Sequence, residues 1–154
     1  MRSDSADSFK HSPANASENG AMTTTVFPTI SFADPRKGLD FLTAVGFTVT
    51  AAYWSSDDPT VLDHAELSWP GGGAVMCGSA AREATDDYER RVGAASIYAV
   101  VAADSDVDEV HAKALAAGAT TLKAPEDQDY GGRSASVRDP EGNQWSFGSY
   151  AGQG

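Results

Sequence analysis

The sequence predicts an α+β fold in which one βαβββ unit is used twice within a single domain. Its 154 residues, 41% of them apolar, are enough for one ordinary core around a sheet. The first half reads strand, aspartate cap, helix, glycine, three strands, and the second half repeats that order with serine in the cap position. A period of about 68 residues present in only two copies marks a duplicated half-domain, since a solenoid needs three or more repeats.

From Val26 to Phe32 the residues alternate, Thr29 and Ser31 one way and Ile30 and Phe32 the other, as in a half-buried strand. A helix should follow at once. Asp34 suits the N-cap, Pro35 the first helical position, and Leu39, Leu42 and Val45 recur at helical spacing before Gly46 at C′. Strands at about 47–53, 62–69 and 74–78 complete the first unit. They are punctuated by Asp57-Asp58-Pro59 and Pro70-Gly71-Gly72-Gly73. The second unit opens with a strand from Ala95 to Ala102, and Ser105 with Asp108 three residues on has the form of a capping box. Val107, Val110, Ala114 and Leu115 make that helix's buried stripe, and Gly118 ends it. Strands near 119–124, 133–138 and 144–148 follow, the last two joined by the turn Asp139-Pro140-Glu141-Gly142-Asn143.

Residues 1–22 hold Ser, Asp, Asn, Ala and Pro with neither strand nor helical period, so they should be a disordered tail before a domain over 23–150. Met22 stands directly before the first patterned segment and could be the natural start; His11 would then carry no role. Module one should cover about 26–80 and module two about 94–150. No apolar run is long enough for a membrane span and the start lacks the order of a secretory signal, so a cytoplasmic protein is expected. The net charge is −11, of which the tail supplies −1, leaving −10 on the domain. Such a body repels nucleic acid and anionic lipid and could favour a cationic ligand. Cys77 has no partner for an internal disulfide and sits in the apolar run Ala74-Val75-Met76-Cys77, where a thiol packs as a small hydrophobe.

Four segments together resemble the vicinal-oxygen-chelate superfamily of glyoxalase I, bleomycin-resistance proteins and extradiol dioxygenases. They are Pro28-Thr29-Ile30-Ser31-Phe32 leading to Leu39-Asp40-Phe41-Leu42, then His64-Ala65-Glu66-Leu67, Ala116-Ala117-Gly118-Ala119, and Asp139 through Phe147. The nearest likeness is to its glyoxalase-like proteins of undetermined activity, in which a segment like Tyr130-Gly131-Gly132-Arg133 precedes the penultimate strand. The resemblance implies paired modules forming a curved mixed sheet around a cleft, with helices on the convex face, and a homodimer whose partner completes the cleft. The apolar strand faces, Ala65 and Leu67, Ile97, Ala99 and Val101, Trp145 and Phe147, fit the surface under a helix. The opposite faces offer His64, Glu66 and Ser68, Ser96 and Tyr98, Gln144 and Ser146, and Thr29 and Ser31 to a small-molecule ligand.

Metal-dependent relatives place a His or Glu on each of four strands. Here those positions fall near Phe27 to Thr29, at Glu66, near Ser96 and at Ser146, and only Glu66 is a ligand-like residue. No metal or other cofactor is therefore expected, although His64 and Glu66 on one face could form a rebuilt site or an acid/base pair. The stretch from Pro125 to Arg133 reads either as a lid carrying Tyr130 and Arg133 over the cleft, Arg133 offering a fork to a carboxylate, or as a plain hairpin connection. Tyr53 and Trp54 could wall the cleft or make packing and dimer contacts, and His111 sits at the edge of the second helix's stripe. Two functions follow: a drug-sequestering binding protein of the bleomycin-resistance type, or a glyoxalase-like lyase or isomerase using Glu66 and His64.

Overall fold

The structure is a computed structural model that describes residues 23–82 and 87–154; the tail expected over 1–22, Met22 and His11 lie outside the described residues. The α+β architecture is the one expected. Module one runs β1 (Thr29–Phe32), α1 (Pro35–Val45), β2 (Thr48–Trp54), β3 (Leu62–Ser68) and β4 (Ala74–Ser79). Module two runs β5 (Ser96–Val100), α2 (Asp104–Ala116), β6 (Thr120–Asp127), β7 (Arg133–Arg138) and β8 (Gln144–Gly148). They form two four-stranded sheets of the same order, β1-β4-β3-β2 and β5-β8-β7-β6. In each, the first strand pairs parallel with the last and the remaining pairs are antiparallel.

The first helix forms as its sequence dictates. The Asp34 carboxylate accepts from the Lys37 amide at 3.2 Å, Pro35 opens the helix, and Gly46 ends it at φ 129°, where a side chain would be strained. The second helix corrects the expected capping box. It begins at Asp104, so Ser105 is already helical, and Asp106 is the residue whose carboxylate reaches back, accepting from the Ala103 amide at 3.0 Å. The lid reading of Pro125 to Arg133 is also corrected. Strand β6 continues through Pro125 to Asp127, and a tight turn closed by Gln128 N–H to Gly132 O (2.9 Å) and Gly131 N–H to Gln128 O (3.0 Å) returns the chain into β7. Pro125 is tolerated because β6 is a sheet edge.

Helix α1 buries Leu39, Phe41, Leu42 and Val45 against the apolar side of the sheets and α2 buries Val107, Val110 and Ala114, whereas Leu115, expected in that stripe, is 40% exposed. The two modules share one core. Phe47 packs between Trp69 (4.8 Å between ring centres) and Trp145 (5.4 Å), and Trp69 also meets Phe147 at 5.9 Å. Cys77 lies in this core, 4% exposed, and burial pushes its thiol up to about 12, the value of an inert group.

The turn from Asp139 to Asn143 is closely bonded, with Asp139 N–H to Asn143 O at 2.8 Å and Gly142 N–H to Asp139 O at 3.0 Å. Asp139, 6% exposed, accepts from the Glu141 amide (2.8 Å) and the Asn143 amide (3.0 Å) through Oδ1 and from Trp145 Nε1 (2.9 Å) through Oδ2. Asp139→Ala leaves three donors without an acceptor, two of them in the buried interior, and should cost about 3 kcal/mol or more, read as a lower urea midpoint with an unchanged slope. Asp139→Asn, which keeps one oxygen, should lose distinctly less; equal stability of Asp139→Ala and parent would remove this turn from its central place.

Candidate functional site

The strand registers sort the sequence-derived site residues into two separate sets. On the first sheet Thr29, Met76, Glu66 and Ala51 stand in one row across β1, β4, β3 and β2. Ser31 faces Gly78 in the neighbouring row, His64 pairs with Tyr53, and Ser68 closes the end of β3. His64 Nε2 lies 3.8 Å from Glu66 Oε2, and the Tyr53 ring stacks on the His64 ring at 6.3 Å. Trp54 faces a cation instead of the cleft, with the Arg36 guanidinium 4.2 Å over its ring. On the second sheet Tyr98, Ser146, Ser136 and Lys123 stand in one row and Ser96, Gln144, Arg138 and Thr120 in the next. Ser146 Oγ and Ser136 Oγ hydrogen-bond at 2.7 Å.

Tyr98 is fixed in place. Its ring lies against Gly148, where any Cβ would collide with it, and its hydroxyl donates to the Tyr150 carbonyl at 2.8 Å. Partial burial, with Tyr130 nearby, pushes the phenol above its usual value. Tyr130 projects from the hairpin turn, 64% exposed, its ring edge-on to Tyr150 at 5.2 Å. Arg133 is already engaged. Its guanidinium donates twice to Asp108 (2.8 and 3.0 Å) and once to Asp127 (3.2 Å), binding β7 to α2 and to the end of β6. Asp108 therefore sits below the usual carboxylate range, chiefly through its hydrogen bonds from Arg133, and Arg133 is raised by the same contact. His111, the stripe-edge residue, bonds the Thr121 hydroxyl at 2.8 Å.

A cavity lies at the seam between the modules. It measures about 730 Å³ and is floored by Phe47, Trp69, Ile97, Ala99 and Val110. Val26 and Pro28 before β1, the loop Pro70–Gly73 and the stretch Val100–Ala102 form its walls, and Asp106, Glu109 and Lys113 its charged rim. Of the sequence-derived candidates only Tyr98 lines it, whereas Thr29 and Ser31 line a separate pocket of about 260 Å³ with Glu89, Arg91 and Asn143. The three glycines of the wall have φ of 88°, 124° and 85°, a run that only glycine adopts readily, and no other atom approaches within 4 Å of where their side chains would be. Trp69 joins the two modules there, its Nε1–H donating to the Val100 carbonyl at 2.7 Å. The parallel register with β8 turns the backbone polar groups of Ser96, Tyr98 and Val100 toward the free edge, which is why that carbonyl is available. The crevice was not legible in the sequence, because its walls come from residues that read singly as core or turn; the one local signal was an indole directly before Pro-Gly-Gly-Gly.

A family model described as Glyoxalase/Bleomycin resistance protein/Dioxygenase superfamily matches residues 24–147. The chain belongs to that superfamily. Among solved structures it is similar to TioX from Micromonospora sp. ML1, at 26% identity and a TM-score of 0.63, covering 82% of this chain and 98% of that one. A superfamily member from Sphaerobacter thermophilus DSM 20745 matches at 25% identity and a TM-score of 0.60, over 82% and 97% of the two chains. The hypothetical protein SA1046 from S. aureus shares the fold at 18% identity and a TM-score of 0.60, over 86% and 98%. No curated protein matches the chain.

For a superfamily whose members include metal enzymes, the donor set is sparse. Among the described residues no three His, Cys, Asp or Glu side chains gather, so His64 and Glu66 stand as a pair. That does not fit the four-ligand arrangement. Among the described residues no helix is long and apolar enough to cross a membrane.

The Arg133 contact fixes a pH signature. Because Asp108 is held below its ordinary value, its contribution to stability is present above the ordinary carboxylate range and is lost as pH falls through the lowered value. The melting temperatures of parent and Asp108→Asn should differ at pH 7 and converge in strong acid; a gap independent of pH would assign the difference to packing.

Proposed function

We propose that this superfamily member binds a small, largely apolar molecule in the seam crevice, in the manner of the bleomycin-resistance type, without a catalytic metal. The crevice itself carries the reading. Its volume falls within the roughly 300–1,000 Å³ of ligand pockets, and it combines aromatic floor, apolar walls and a few charges at one rim. Two of its three charged rim residues are acidic, and the domain around it is strongly acidic, which favours a cationic ligand over an anionic one. Tyr98, the one sequence-derived candidate in the lining, is held in place there by its hydroxyl bond to the Tyr150 carbonyl.

A homodimer in the cytoplasm accompanies this reading. Edge strands β2 and β6 are exposed along most of their length and carry Val49, Tyr53 and Leu122 at 38–46% exposure, apolar surface that a second copy would cover. The alternative, a metal-dependent glyoxalase-like lyase or isomerase, rests on the 3.8 Å approach of His64 and Glu66 on one sheet face.

Thermal-shift titration with cationic aromatic and glycopeptide antibiotics should find compounds that raise the melting temperature; a ligand at a hundred times its dissociation constant adds about 2.7 kcal/mol. Trp69→Ala should abolish the shift, and no response from the whole series would sink the reading. Protein purified without chelator should contain far less than one equivalent of nickel, zinc, iron or manganese. Near-stoichiometric metal that disappears in Glu66→Ala would establish the alternative instead.

A further inference from the structure

The side chain of Glu141 has no part in the turn that carries it. That turn is closed by Asp139: its amide donates to Asn143 O (2.8 Å), its carbonyl accepts from Gly142 N–H (3.0 Å), and its carboxylate takes the Glu141 and Asn143 amides. The third position of such a turn needs only a residue with an ordinary backbone. Glu141 nevertheless reaches across to the other module. Its Oε2 accepts from the Ala33 amide at 2.6 Å and its Oε1 from the Asp34 amide at 3.0 Å, so both oxygens grip the corner where β1 turns into α1. Two consecutive N–H groups at the positive end of a helix form a strong seat for a carboxylate, and here the chain supplies its own.

The turn is rigidly fixed behind this grip. Gly93, in the connection between modules, packs so closely that a side chain there would stand 3.1 Å from the Glu141 carbonyl and 3.4 Å from Gly142 Cα. Asn143 Oδ1 accepts the Ala95 amide at 3.0 Å, and three residues before Ala95 Val92 bridges Ser31. The grip of Glu141 on Ala33 and Asp34 therefore ties the corner of module one to a turn that is itself fixed to module two and to the connection. At this end of β1 the modules are pinned; at the other end, about five residues or 15 Å away, Val26 and Pro28 wall the crevice. At that end the Trp69 Nε1–H bond to the Val100 carbonyl (2.7 Å) is a second tie across the seam, so the crevice is held between two ties, one at Glu141 and one at its own wall.

We propose that Glu141 is the latch that sets the angle between the two modules, and through it the width of the seam crevice. The effect on ligand affinity rests on the binding function proposed above; the effect on module angle does not. Glu141 acts through the walls of the crevice and is a positioning residue.

The test uses the full chain with spin labels on Asp63→Cys and Thr120→Cys, one exposed position on each sheet; Cys77, buried and with its thiol raised to about 12, stays unlabelled. Pulsed electron resonance should give a single narrow distance in the parent and a shifted or broadened one in Glu141→Ala. Glu141→Gln, of the same size but with one oxygen replaced by a donor facing an amide, should move part of the way and guards against a folding failure of the smaller variant. In parallel, binding of Nile red should change by at least about fivefold in Glu141→Ala while unfolding stays cooperative. A folded Glu141→Ala and a folded Glu141→Gln with the parent's distance distribution would overturn the latch. If the parent fails to bind the dye, the binding function loses its support while the distances still decide the latch.

Discussion

The buried carboxylate of Asp139 is the constraint on which the rest of the arrangement depends. A five-residue turn between two adjacent strands is ordinarily a local matter, and a surface one. Here the carboxylate is inside, where it must accept hydrogen bonds, and its three donors fix the turn backbone and the indole of Trp145 at once. Fixing Trp145 fixes the centre of the shared core, since that ring meets both Phe47 from module one and Phe147 from its own strand. Fixing the turn fixes Asn143 against the connection and Glu141 against the corner of α1. Local turn chemistry thus becomes the geometry of two modules.

The aromatic seam shows why a crevice forms. Duplicated modules each bring a helix and the apolar face of a sheet, and the lowest-energy way to cover those faces is against one another. Large rings of unlike orientation fill the middle of the seam well, at centre distances of 4.8–5.9 Å. Toward the start of β1 and the end of β5 the filling runs out, because Ala74, Ala99 and Ala102 are small and Gly71 to Gly73 have no side chains. Trp69 spans part of that gap with a hydrogen bond to the edge of β5, and what it leaves is the cavity. The same packing leaves polar rows on both sheets outside the core.

Elements with a strong local signal were legible in the sequence. The cap, proline and terminal glycine of α1 fall where Asp34, Pro35 and Gly46 put them, and alternation placed the inward residues of β3 and β8, since these are half-exposed strands where period and burial agree. The boundary of α2 was misplaced by two residues because Ser105 and Asp108 have capping-box spacing but Asp104 and Asp106 compete for the same job at the same helix end. Pro125 read as a breaker because strand edges cannot be distinguished from loops in one sequence. Arg133 read as a free fork because its partners, Asp108 on α2 and Asp127 across the hairpin, are neighbours only after folding.

The site residues divide along the same line. Alternation says correctly which side of a strand is polar, yet a polar side chain on a strand is explained equally well by a ligand and by a neighbour, and neighbours account for several of them: Ser146 has Ser136, Arg133 has two carboxylates, and Tyr98 has the Tyr150 carbonyl. The crevice escaped because a cavity is a deficiency of packing volume between elements distant in sequence, and composition along a strand carries no record of the volume opposite it. What the sequence did record was the means of making one. A tryptophan, three glycines and a proline at the end of β3 cannot pack as a strand, and their cost to module one, in glycine entropy and uncovered indole surface, makes sense only where the second module comes near. Turns that serve one module while bonding the other, at Asp139–Asn143 and at Trp69–Gly73, are therefore where duplication of a simple unit turned into a protein with an interior seam.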